Sequence, residues 1–136
     1  MIYGALLSSK LVVDGRYAEA VDAATSEMLT QPDEPEAYFN RGQALAGLER
    51  FEEAIADYEK ALTMDDSASS VDPETIDDEI FFALRRAADA RRSDPEHAVQ
   101  TLERYRQVLP NGRHLDDIGK WADAFKGVET VWYRER

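Results

Sequence analysis

The chain is 136 residues long, 43% hydrophobic and 32% charged, a balance that fits one globular domain and excludes an intrinsically disordered chain. It contains no cysteine, so disulfides, thiolate metal sites and cysteine nucleophiles are excluded, and no apolar run reaches the roughly eighteen residues that a membrane span requires. The net charge of −12 is uneven: residues 1 to 78 carry five basic and eighteen acidic side chains, residues 79 to 136 eleven and ten. An acidic half of that kind repels a phosphate backbone, so nucleic acid is a poor partner and a basic protein a better one. The first ten residues lack a basic segment ahead of their apolar stretch, which Lys10 interrupts, so no secretory leader is expected and the cytoplasm is the default location.

In chain order, the first feature is a recurrence at 34 residues. Leu11 returns as Leu45, Tyr17 as Phe51, Glu19 as Glu53, Ala20 as Ala54, Val21 as Ile55 and Met28 as Leu62, while the small Ser8 corresponds to Gly42. An aromatic, a small and a branched residue recurring in that order marks a structural unit repeated along the chain. In the second copy Pro35 suits a first helical position, and Tyr38, Gly42 and Leu45 fall on one helical face. Leu48-Glu49-Arg50 makes a turn, and Phe51, Ala54, Ile55, Tyr58, Ala61 and Leu62 form the apolar stripe of the returning helix. Gly42 and Ala54 are small where the two helices of a pair must approach closely.

A third unit follows at a spacing of 44, in which Pro95, Ala98, Val99, Leu102 and Tyr105 answer to Phe51, Ala54, Ile55, Tyr58 and Ala61. Its first helix is predicted from about residue 73 to 92, started by Asp72-Pro73-Glu74 and striped by Ile76, Ile80, Leu84 and Ala87. Asp94-Pro95-Glu96 starts the helix that follows. After Pro110-Asn111-Gly112 a last helix carries Ile118, Trp121, Phe125, Val128 and Trp132 at spacings of three and four, and is expected to cap the array.

The stretches Ala37–Leu45 and Phe51–Leu62 closely resemble a unit of the tetratricopeptide repeat family, and residues 1 to 34 resemble it more loosely through Leu7, Leu11, Gly15, Tyr17, Ala20 and Pro32. The repeat signature is carried by Leu11, Tyr17, Ala20, Gly42, Leu45, Phe51, Ala54, Tyr58 and Ala98. The resemblance implies an all-α fold, a right-handed superhelix of about three antiparallel helix pairs plus a C-terminal capping helix. One domain over 1–136 is expected, with repeat 1 at 1–34, repeat 2 at 35–66, an acidic connector and extended repeat 3 at 67–110, and the C-terminal helix at 111–136. It also implies a concave groove that takes a peptide or helix of a partner protein. The matching groove positions are Ile2, Ala5, Leu6 and Ser9, then Phe39, Asn40, Gln43 and Gly47, continuing through Ala83, Leu84, Ala87 and Arg91. Family members that clamp a carboxylate need lysine, asparagine or arginine where Ala5, Ser9, Ile80 and Leu84 stand here, so that clamp is not expected.

For catalysis, His97 and His114 are the near-neutral bases available, and neither lies in a motif with a nucleophile or a paired carboxylate, so both are expected at the surface. Asp65-Asp66 and Asp77-Asp78 lack the alternating ligands and glycine of a calcium loop, and no phosphate-binding glycine loop exists, so no metal or cofactor is expected. The expected function is a non-catalytic adaptor or scaffold for protein–protein interaction. The alternatives are a secretion-type chaperone for an exported client and, more distantly, an enzyme or a regulatory subunit of an enzyme complex. Two tryptophans are generous for a cap, so Trp121, Phe125 and Trp132 form a second candidate interface, through which a homodimer could assemble. Arg85, Arg86, Arg91 and Arg92 form a basic cluster suited to an acidic partner or to nearby acids such as Asp89 and Glu96.

Overall fold

A computed structural model describes residues 6–64 and 71–127. The described residues form seven helices and no strand: α1 (Leu7–Val13), α2 (Tyr17–Thr30), α3 (Pro35–Gly47), α4 (Phe51–Thr63), α5 (Pro73–Asp89), α6 (Pro95–Val108) and α7 (Leu115–Phe125). They fall into two compact units, Met1–Glu79 and Ile80–Arg136, the boundary lying inside α5. In the first unit α1 packs on α2, α2 on α3, α3 on α4, and α1 also on α3; in the second, α6 packs on α7.

The 34-residue recurrence is reproduced in the backbone. α1 and α3 end at Val13 and Gly47, and α2 and α4 begin at Tyr17 and Phe51. Between them each chain reverses through one left-handed residue, Gly15 (φ 75°) in the first pair and Glu49 (φ 62°) in the second. The same two hydrogen bonds close both turns. The Arg16 amide donates to the Leu11 carbonyl at 2.9 Å and the Arg50 amide to the Leu45 carbonyl at 2.8 Å, while the Gly15 and Glu49 amides donate to Val12 and Ala46, each at 3.0 Å. Arg16 then pairs with Glu19, and Arg50 with Glu53. These ion pairs are exposed and worth little to stability, but they repeat the turn side chain for side chain.

Close approach within the second pair is visible at Gly42. A Cβ there would lie 2.5 Å from the Tyr58 ring, and Tyr58 is fully buried, so the ring occupies the space that the missing side chain leaves. Between the pairs, Gly47 stands in the same relation to the ring of Tyr17 from α2, at 2.7 Å. Leu11, Ala20 and Ala44 are buried together, with Val12, Tyr17, Val21 and Ala23 packed on them. Ala24, Ala54, Ile55 and Ala61 continue the interior.

The predicted stripe Ile76, Ile80, Leu84 and Ala87 is buried, as are Ala98, Leu102 and Tyr105 of α6, and within the second unit Tyr105 meets Phe81 of α5 edge-on. Prolines start α3 and α6 as expected. The Glu34 carboxylate caps the first by accepting from the Glu36 amide at 3.1 Å, and the Asp94 carboxylate caps the second by accepting from the His97 amide at 3.3 Å. α1 begins at Leu7, with Leu6 extended and no side-chain cap of its own. Two boundaries differ from expectation. α5 ends at Asp89, three residues early, because 90–94 turn before Asp94 can cap α6. α7 ends at Phe125, where Gly127 adopts φ 75° and its amide closes on Ala124. Val128 and Trp132 lie outside the described residues.

Gly42→Ala is expected to destabilise the fold by about 1–3 kcal/mol through overpacking against Tyr58, read as a fall in thermal midpoint. The two left-handed turns should respond in opposite senses: Gly15→Ala should cost about 1 kcal/mol, while Glu49→Gly should gain about 0.5 kcal/mol by relieving the left-handed backbone. Urea titrations of the two variants check this pair.

Candidate interaction surface

The sequence places the first helix of each pair at a partner-binding groove, and the structure separates its residues into interior and surface. Asn40 is interior, 3% exposed. Its amide donates to the Ser8 hydroxyl at 3.0 Å, and that hydroxyl donates to the Glu27 carboxylate at 2.5 Å. The same carboxylate accepts from the Ser8 backbone amide at 3.1 Å. α1 has no capping side chain of its own, so Glu27, reaching across from α2, satisfies one of its orphan amides. Asn40 is therefore a tie between α3 and α1 and is not displayed to a ligand. Phe39 is likewise buried, its ring 5.7 Å from that of Tyr58, and Gly47 is filled by Tyr17.

What remains half-buried on this face is Leu6, Ser9 and Gln43. Ser9 and Gln43 are 34 apart and hold equivalent places in α1 and α3. Gln43 lies near the carboxyl of Glu79, in the first half of α5, and favours its charged form. Burial pushes the Glu79 carboxyl above the ordinary carboxylate range, and Asp78 beside it pushes the same way, against the opposing influence of Gln43. Ile2 and Ala5 lie outside the described residues.

A second feature of this unit is a cleft of about 310 Å³ lined by Val21, Arg41, Leu45, Arg50, Glu53, Ala56 and Asp57. Its charges are matched. Arg41 donates to both carboxylate oxygens of buried Asp57, at 2.7 and 2.9 Å, which raises the guanidinium pKa, and to the Thr25 hydroxyl at 3.2 Å. Arg50 holds Glu53 in the same two-pronged manner. The cleft is thus a salt-bridged seam joining α2, α3 and α4. Sequence reasoning missed it because Leu7 and Ala23, the equivalents of Arg41 and Asp57 in the first repeat, carry no charge, so no period marks the pair.

In the second unit Leu84, Ala83 and Ala87 are core residues, and Arg91 lies in the turn after α5, donating to the Thr101 hydroxyl at 3.0 Å. Ala83, Leu84 and Ala87 are therefore not on an open groove, because the helical stripe they share is buried, while Arg91 stays half-exposed in the turn. The basic cluster is dispersed, since Arg92 pairs with Asp89 and Arg85 lies against aromatic rings. His97 is exposed as expected, but His114 is not. Its imidazole stacks on Phe81 with centroids 4.2 Å apart, meets Tyr105 edge-on and bonds Asp117 at 3.1 Å, while its amide donates to the Tyr105 hydroxyl at 3.0 Å. It is a packing residue at the start of α7. Trp121 and Phe125 lie side by side on α7, their centroids 6.2 Å apart. Among the described residues no cluster of histidine and carboxylate side chains could hold a metal ion, and no helix is long and apolar enough to cross a membrane.

The sequence model of the tetratricopeptide repeat family matches residues 35–67, the segment that holds α3 and α4. No curated protein matches the chain.

Asn40→Ala should destabilise the protein by about 1–3 kcal/mol, because it leaves the Ser8–Glu27 pair short of a buried partner; an unchanged melting temperature would show that the tie is idle. For Glu79 the sign follows from its raised pKa. The stability that it contributes is present below the unfolded carboxylate pKa and lost as pH rises through the folded value. Glu79→Gln should therefore gain melting temperature over wild type on going from pH 4 to pH 7, and a constant difference across that range would contradict this assignment.

Proposed function

We propose that the chain, which carries a tetratricopeptide repeat at 35–67, is a non-catalytic adaptor that holds a peptide or helical segment of a basic partner protein. Repeats of this family generally mediate protein–protein interaction, and the helix pairs described above give the chain that scaffold. The docking face in this reading is the half-buried row Leu6, Ser9 and Gln43, extended by Glu79. The single observation that carries it is Glu79. A carboxyl partly withdrawn from water next to Asp78, in a segment where residues 1–79 hold nineteen acidic against five basic side chains, is relieved by a cation from outside. A lysine or arginine of the partner would lower its pKa and take the place that water holds poorly. Ser9 and Gln43 would bond the partner's backbone or polar side chains from equivalent places on neighbouring helices.

The test is a photo-crosslinking amino acid at position 9 or 43 in the native cell, with the crosslinked segment identified by mass spectrometry and resynthesised. That peptide should contain lysine or arginine, and Glu79→Lys should weaken its binding at least tenfold, about 1.4 kcal/mol. A captured segment without basic residues, or an affinity indifferent to Glu79→Lys, would move the site elsewhere.

A further inference from the structure

The second unit carries a surface of different chemistry. The Arg85 guanidinium lies over three rings contributed by two helices, with its carbon 5.8 Å from the centroid of Phe81 and 5.7 Å from that of Phe82 on α5, and 5.3 Å from that of Trp121 on α7. Such contacts hold the planar cation by its faces and leave its N–H edges directed elsewhere. Arg16, Arg41, Arg50, Arg92 and Arg106 each pair with a carboxylate. Arg85 has no hydrogen bond or ion pair among the described residues, in a chain with 28 acidic side chains to offer.

The surroundings of Arg85 are firm on one side and open on the other. Beneath it Phe81 is buried, stacked on His114 and edge-on to Tyr105, so the platform is fixed. Beside it Phe82 is 42% exposed, the exposed large apolar residue of this unit among those described. The charge balance also changes here: residues 80–136 hold eleven basic and nine acidic side chains, so an acidic segment repelled by residues 1–79 is not repelled at this place.

From this arrangement we infer that Phe82, Arg85 and Trp121 form a docking site for an acidic segment of a partner protein. An aspartate or glutamate side chain accepts from the Arg85 N–H edge, and a neighbouring aromatic or leucine side chain of the same segment covers Phe82 and Trp121. A ring-held guanidinium is already oriented, so less rotamer freedom is lost when the carboxylate arrives. The ligand of this site has the opposite charge to that of the face proposed above.

The full chain, its Arg85→Ala and Arg85→Lys variants, and Arg106→Ala as a control are panned in parallel against a displayed heptapeptide library. Selected peptides are resynthesised and measured by calorimetry, with helicity followed by circular dichroism. The expected result is enrichment of aspartate or glutamate next to an aromatic or leucine. Arg85→Ala should lose at least tenfold in affinity and Arg85→Lys several-fold at unchanged helicity, while Arg106→Ala, which removes a guanidinium paired with Glu103 on α6, binds as wild type does. Peptides without acidic enrichment, an affinity indifferent to Arg85→Ala, or no selected peptide would overturn the inference. So would self-association of the wild-type chain in sedimentation that Arg85→Ala abolishes, since the occupant would then be a second copy.

Discussion

The first unit depends on how near two helices of a pair can come. At Gly42 the ring of Tyr58 lies where any side chain would have to be, and that ring is fully buried. The contact sets the spacing of α3 and α4, and the small residues Ala20, Ala44 and Ala54 keep the same closeness elsewhere in the interior. Once that spacing is fixed, the chain has only a short reversal in which to return. The left-handed residue and six-residue closure at 15 and 49 are the geometry that does so twice.

Closeness of this kind leaves little room for buried polar groups, so those present are used as ties. Asn40, Ser8 and Glu27 join three helices through bonds that are each charge-assisted or buried. Arg41 and Asp57 join α3 to α4, with Thr25 adding α2. Breaking a single partner in such a network costs more than the network contributes as a whole, because the group left behind remains out of water. In the readings proposed above, binding surfaces are built from what the ties leave over. On α1 and α3 that remainder is Ser9 and Gln43, and on α5 and α7 it is the aromatic cradle of Arg85.

Periodic features were legible in the sequence. The positions of α2, α3 and α4, the close approach at Gly42, the capped prolines at 35 and 95 and the stripe Ile76, Ile80, Leu84 and Ala87 all follow from spacing, since spacing is what burial imposes on a helix. The features that escaped are those that occur once. Arg41–Asp57 and the Ser8–Glu27–Asn40 tie join residues 16 to 32 apart by side-chain geometry that no repeat announces. Asn40 read as a ligand contact for that reason, although its companion Gln43 does reach the surface. His114 read as exposed because stacking on Phe81, 33 residues away, leaves no local mark. Part of the Arg85 cradle was visible, as Phe81 and Phe82 precede it by four and three residues, but the closing ring came from another helix.

Glu27 stands near the end of α2, yet it closes the beginning of α1. The amide of Ser8 is thereby shielded by a carboxylate 19 residues downstream instead of by its own turn. Fraying of that short helix is not a purely local event, since opening it strips the Glu27 carboxylate of α2 of both its Ser8 donors and parts Ser8 from Asn40 of α3. The leading edge of the repeat is consequently welded to the cooperative unit behind it, and its amide hydrogens should exchange with deuterium on the timescale of α2 and α3 and not on that of a loose end.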